Sequence, residues 1–102
     1  MWLLDVKKST KPEKKYTATF CKCEKKNACK GSNHKIVHFG SKGSETFIDS
    51  QDKVKRANYL ARHRANEDWD NPTTAGALSR WLLWNLPTLS ASIAFFKKKF
   101  KL

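Results

Sequence analysis

At 102 residues, with 21 lysine and arginine side chains against nine aspartate and glutamate, the chain carries a net charge of +12 at pH 7, and 12% of it is aromatic. A chain this short forms one domain and buries roughly 60–70% of its unfolded surface, so bulky rings carry much of its core. No stretch approaches the roughly 20 apolar residues of a membrane span, and a charge of this size directs attention to anionic partners such as nucleic acid, an anionic membrane or an acidic protein surface.

The opening residues lack the basic n-region and long apolar run of a signal peptide, which predicts a protein made and used on the cytosolic side. Three cysteines, an odd number, agree with a reducing compartment. Trp2, Leu4 and Val6 alternate as a strand does. Lys7 to Lys15 reads as a basic connector punctuated by Pro12. Tyr16, Ala18 and Phe20 alternate with Thr17 and Thr19 to give a second strand, and Lys35 to Phe39 gives a third that Gly40 stops. Between them lies a long loop, Cys21 to His34. Thr46, Phe47 and Ile48 add a short fourth strand.

From Asp49 the period becomes helical. Asp49 or Ser50 caps a helix, and Asp52 sits in its first turn. Val54, Ala57, Leu60 and Ala61 form an apolar face, while Lys55, Tyr59 and Arg62 share another, flanked by Arg56 and His63. Asn66 to Pro72 breaks this helix. Thr73 or Thr74 caps the next, with Leu78, Trp81, Leu82 and Asn85 on one face and Trp84 to the side. After Pro87, Leu89, Ile93, Phe96 and Phe100 form a last helical stripe whose end gathers Lys97, Lys98, Lys99 and Lys101, where cations suit the helix dipole. The fold class is therefore α+β: a small N-terminal antiparallel sheet of three to four strands in residues 1–48, then two to three helices in residues 49–102, within one domain.

The metal-like grouping is Cys21, Cys23, Cys29 and His34. Thiolates and an imidazole suit tetrahedral structural zinc, although C-x-C is less typical than C-x-x-C, and reduced thiols or a disulfide from Cys21 or Cys23 to Cys29 are the alternatives. Lys55, Arg56, Tyr59, Arg62 and Arg64 form a candidate nucleic-acid face; the alternative is a solvated helix surface, part of whose charge pairs with Glu67, Asp68 and Asp70. Those acids flank Trp69 before a helix start, a placement that suits the dipole rather than acid–base chemistry. Gly40 to Ser44 lacks the order of a P-loop, and no nucleophile elbow, zinc-protease pair or dinucleotide fingerprint occurs. No catalytic residues are therefore assigned, and neither an enzyme nor a small-molecule substrate is expected.

Trp81 and Trp84, three apart, lie about 60° from one direction on a regular helix and do not easily share one small core. Trp81 is expected in the core. Trp84 either covers the sheet edge or is offered to a partner, as hot-spot aromatics are. The candidate partner-binding residues are Trp2, Trp84, Phe95, Lys97, Lys98, Lys99 and Lys101.

The chain resembles a family of short basic proteins of unknown function from giant and other large double-stranded DNA viruses. The resemblance rests on Val37-His38-Phe39-Gly40 with Lys42-Gly43, on Asp52-Lys53, on Tyr59 with Arg62-His63, on Glu67 with Trp69, and on Asn71-Pro72 with Thr74-Ala75-Gly76. It continues through Ser79-Arg80-Trp81, Trp84-Asn85, Pro87-Thr88 and Ser92-Ile93 to the closing Lys98-Lys99-Phe100-Lys101-Leu102. The Cys21–His34 loop is longer than in many members, and an aromatic is missing after Lys42-Gly43, so zinc is not something the resemblance implies. What it does imply is a setting: a non-enzymatic protein made in the host cytoplasm and carried in the virion. There it acts either as a minor capsid protein that cements or links capsomers through other capsid proteins, or as a basic protein that packages or regulates viral DNA.

Overall fold

The structure, a computed structural model, describes residues 1–25 and 33–102. Three strands form an antiparallel sheet in the order β1 (Trp2–Lys8), β2 (Lys14–Cys21), β3 (His34–Ser41). Four helical segments follow: α1 (Phe47–Ser50), α2 (Lys53–His63), α3 (Ala75–Leu78), which runs directly into a π turn at Ser79–Leu83, and α4 (Leu89–Phe100). The α+β class expected from the change of period at residue 49 is the one observed.

Both flanking strands extend into the basic connector, leaving a tight turn. The Ser9 amide donates to the Lys15 carbonyl at 3.1 Å and the Lys14 amide to the Lys11 carbonyl at 3.2 Å. β1 does not keep the simple alternation of Trp2, Leu4 and Val6. Its register with β2 shifts between Leu3 and Asp5, so Leu4 is the extra residue of a bulge and the phase of the strand reverses there. Leu3 and Val6 consequently share the inner face, and Leu3 is fully buried. Trp2 lies on the opposite face with Asp5.

Cross-strand partners share a face, so the registers define both sides of the sheet. Inward lie the rows Leu3–Phe20–Lys35, Val6–Ala18–Val37 and Lys8–Tyr16–Phe39; outward lie Trp2–Cys21–His34, Asp5–Thr19–Ile36 and Lys7–Thr17–His38. The inner rows meet the helices. Phe20 and Phe39 pack with Leu78, Leu82, Leu83 and Phe96 in one core, and none of these side chains keeps more than 1% of its surface. Gly40 is required at the end of β3. Its φ is +79°, and a Cβ there would lie 2.9 Å from Leu83 Cδ1 and 3.1 Å from Lys15 Cβ.

The expected fourth strand at Thr46–Ile48 is instead the start of α1. One Asp49 carboxylate oxygen accepts from both the Thr46 amide (2.8 Å) and the Thr46 hydroxyl (2.9 Å). That local bonding outweighs the strand preference of Thr and Ile. Asp49 is thereby engaged in α1, and Asp52 caps α2, accepting from the Val54 and Lys55 amides. Thr74 caps α3 through the Ala77 amide and Thr88 caps α4 through the Ala91 amide. α4 ends at Lys101, φ 56°, where the Leu102 amide closes back on the Lys97 carbonyl at 2.8 Å.

Candidate functional site

Spacing along α2 places Lys55, Tyr59 and Arg62, with His63 beside them, on one side of the helix, and that side faces a cleft of about 660 Å³. The opposite wall is Gly76, Ser79 and Leu83, and the end of β3 with the loop that follows (Ser41, Ser44, Glu45, Thr46) closes a third side together with Lys14. The volume falls in the usual range for small-molecule sites.

Behind the cleft runs a continuous array of rings and polar groups. Trp84 stacks on Tyr59 with centroids 4.4 Å apart and planes 5° from parallel, and Tyr59 stacks on His63 at 4.3 Å. His63 Nδ1 meets Glu67 Oε1 at 3.1 Å, and Glu67 Oε2 accepts from Trp69 Nε1 at 2.9 Å. The Trp69 carbonyl in turn accepts from Trp81 Nε1 at 2.8 Å. Glu67 fits against α3 because residue 76 is glycine: a Cβ there would stand 2.9 Å from its carboxyl group. Glu67 therefore organises the site by linking α2 to the tryptophan segment, a role its place in an acidic run does not announce. Among the described residues His63 hydrogen-bonds only to Glu67, and no Ser or Thr hydroxyl reaches it.

Burial pushes the Tyr59 phenol up to about 12, the Glu67 carboxylate adds to this, and Arg80, Arg62 and a hydrogen bond with Ser79 act against it. Tyr59 is thus neutral at physiological pH. It supplies a ring and a hydroxyl, not a base. Lys55 is held above its usual value by a hydrogen bond to Glu45 at 2.8 Å, at the open edge of the cleft.

The two helical tryptophans separate. The π turn, closed by the Trp84 amide on the Ser79 carbonyl at 3.2 Å, inserts a residue into the helical period. Trp84 turns towards α2, where it is buried at 9% exposure, while Trp81 turns to α4 and meets Phe95 and Phe100. Trp84 is thus part of the core and the cleft wall rather than an aromatic offered outward. Arg80 and Arg56 close this turn from two sides. Arg80 donates to the Trp84 carbonyl at 2.9 Å and lies over the Trp81 ring at 4.4 Å; Arg56 donates to the Asn85 carbonyl at 2.7 Å and lies over Phe47 at 4.4 Å. Burial holds the Arg80 guanidinium below its ordinary value, with the neighbouring Arg56 adding to the effect.

Of the residues expected on a nucleic-acid face, Lys55, Tyr59 and Arg62 therefore line the cleft. Arg56 is committed to the turn at Asn85, and Arg64 is exposed away from the cleft. Arg62 and Arg64 form no ion pair with Glu67, Asp68 or Asp70. Of the expected partner-binding residues, Phe95 is 41% exposed, Lys98, Lys99 and Lys101 are exposed, Lys97 is half-buried, and Lys99 bends over Trp81 at 4.7 Å. Trp2 is half-buried, its indole donating to the Glu24 carbonyl at 3.0 Å. On the outer face of the sheet, His38 Nδ1 is shared by the Ser9 and Thr17 hydroxyls at 2.9 and 2.8 Å.

For the expected metal grouping, Cys21 and His34 are cross-strand partners at the ends of β2 and β3, and Cys29 lies outside the described residues. Among the described residues no three His, Cys, Asp or Glu side chains gather as a metal-binding group. None of the described helices is long and apolar enough to cross a membrane.

Residues 4–63, more than half of the chain, match the model of a family of unknown function (DUF5754). The protein belongs to that family. The DUF5754 match takes in the sheet from Leu4 onward, α1 and all of α2, and it ends at His63; the facing wall of the cleft, with Gly76, Ser79 and Trp84, lies beyond it. No curated protein matches the chain. No solved structure matches it.

Proposed function

We propose that this protein is a non-enzymatic structural component of a virus particle, a minor capsid protein that links or cements capsomers by holding acidic surfaces of other capsid proteins. One observation carries the reading: the positive charge is not consumed internally. Among the described residues only Lys15 and Lys55, of all the lysines and arginines, have a carboxylate within 4.0 Å. Cations without such a partner include Lys11 on the hairpin turn, Arg62 on α2, and Lys98, Lys99 and Lys101 at the end of α4, where Phe95 adds an exposed ring. Charges so placed steer encounter and fix register on an anionic surface, and an aromatic anchor adds affinity. The viral setting itself comes from the resemblance in sequence. The test is quantitative mass spectrometry of particles before and after release of their DNA. The protein is expected to stay with the emptied shells, and its departure with the genome overturns the assignment.

A second reading, binding and packaging of viral DNA, is favoured by the way Lys55, Tyr59 and Arg62 share one accessible wall, with Arg64 exposed at the end of the same helix. Contact with 6–10 phosphates predicts a loss of roughly 10³–10⁵ in DNA affinity between 50 and 200 mM salt. Weak binding with a shallow salt slope removes this reading.

A further inference from the structure

The cleft combines two kinds of group with no task inside the fold. Lys14 and Arg62 line it, and neither has a carboxylate partner among the described residues. Ser41, Ser44 and Asn58 also line it, and their side chains make no hydrogen bond to the rest of the described chain. The acidic side chains of the cleft, by contrast, are already engaged: Glu67 by His63 and Trp69, and Glu45 by Lys55. The lining therefore offers net positive charge together with neutral donors and acceptors, on a floor of Tyr59, Leu83 and Trp84 that is buried and rigidly stacked.

We propose that this cleft is a binding site for a phosphate monoester carried on a hydroxylated body, of the sugar-phosphate or nucleotide class, with Lys14 and Arg62 taking the phosphate and Ser41, Ser44 and Asn58 the hydroxyls. A guanidinium and an ammonium together suit a dianionic phosphate, the first through paired N–H donors and the second as a compact charge. The ring floor excludes water from one side, which strengthens those charged hydrogen bonds. The Lys55–Glu45 pair is at the open edge, both side chains being about half exposed (54% and 55%). An incoming anion can draw Lys55 away from Glu45 at little cost, because an exposed pair is weak. The same chemistry arises from two sources, a free phosphorylated metabolite or the phosphorylated end of a nucleic-acid strand. It is independent of whether the protein grips capsid subunits.

The test is titration calorimetry and amide NMR of the full chain with ribose 5-phosphate and adenosine monophosphate, using adenosine as the unphosphorylated control. Saturable binding of the phosphorylated probes, with shifts centred on Ser41–Thr46, Asn58 and Ser79, is expected. Arg62→Gln and Lys14→Gln should each weaken it by about tenfold or more, as loss of a charged hydrogen bond does. Asn58→Trp, on an exposed helix position, should block it without unfolding the chain, and Lys22→Gln, exposed and outside the cleft, should leave it unchanged. A 5′-phosphorylated oligonucleotide binding more tightly than both the free nucleotide and its 5′-hydroxyl counterpart assigns the ligand to a strand end; the free nucleotide binding more tightly assigns it to a metabolite. Absence of saturable binding up to about 10 mM probe, or equal losses from Lys22→Gln and Arg62→Gln, overturns the proposal.

Discussion

Against the inner face of the sheet, Phe20, Phe39, Leu78, Leu82 and Phe96 meet with full loss of exposure and without a polar partner in the contact. Around the cleft, Tyr59, Trp69 and Trp81 are all bulky too, yet each is tied to a hydrogen-bonding or cationic neighbour. The first region is held by removal of apolar surface from water, which is strong and non-directional. The second is held by directional contacts that fix where each ring lies. In this molecule the sheet side of the core supplies the stability, and the ring-and-carboxylate array sets the shape of the cleft.

The largest expected effect breaks the first region. Phe20→Ala should cost about 3–5 kcal/mol, because a fully buried ring leaves a cavity that its neighbours fill only in part. Urea denaturation measures it, and a loss below about 1 kcal/mol would mean that the sheet does not rest on this core. Glu67→Ala should cost less, about 1–2 kcal/mol, since Trp69 Nε1 and His63 lose an acceptor at a site water partly reaches. Its clearer signature is structural: the indole amide resonances of Trp69 and Trp81 should move together, while the amides of β2 stay in place.

A sign reversal separates the two regions further. Gly76→Ala in the native background brings a Cβ to 2.9 Å from the Glu67 carboxyl group, and the cost of displacing Glu67 opposes the gain in helix propensity. In the Glu67→Ala background the obstruction is gone, and the same substitution should stabilise the protein by about 0.5–1 kcal/mol. A double-mutant cycle checks the coupling; strict additivity would show that Glu67 does not pack on α3. Tyr59 offers a spectroscopic probe of the same region. Its folded value, about 12, lies above the usual 10, so its contribution is complete below pH 10 and is lost as pH rises from there towards 12. Tyr59→Phe should flatten that alkaline loss and remove an ultraviolet phenolate transition centred near 12.

The difference between the regions also explains what could be read from the residues. The alternation of β2 and the cap at Thr74 are local patterns, with partners two to four positions away, and they are legible. Where the reading departed from the structure, a local hydrogen bond or one inserted residue was responsible. The Asp49 carboxylate turned Thr46–Ile48 from strand to helix entry, the bulge at Leu4 put Trp2 on the outer face, and the π turn sent Trp81 and Trp84 opposite ways. The face formed by Lys55, Tyr59 and Arg62 was visible from helical spacing, but the cleft it lines was not. Its other wall is contributed by β3 and by α3, segments remote in sequence, and the Glu67 links that bring them together follow no period.

The smallest expected effect concerns α1, where the two kinds of stabilisation occur at one side chain. Burial alone would raise the Asp49 carboxyl, but the Thr46 amide and hydroxyl, with Lys15 at 3.3 Å, outweigh it and hold the group below 3.8. A carboxylate lowered on folding stabilises the protein above its unfolded value, and that contribution disappears as pH falls through the folded one. Thermal melts should therefore show a loss on acidification below about pH 4 that Asp49→Asn reduces. With Asp49 largely exposed and its charge screened by water, the effect at neutral pH should lie near the low end of the ~0.2–1 kcal/mol of exposed pairs. Salt divides the causes. Raising ionic strength to about 1 M contracts the Debye length to about 3 Å and weakens the Lys15 attraction, but it leaves the Thr46 hydrogen bonds in place. If the acid limb survives high salt, directional bonding to Thr46 dominates at α1 as it does around the cleft; if salt abolishes it, the Lys15 charge was the cause, and α1 belongs with the non-directional side of the comparison.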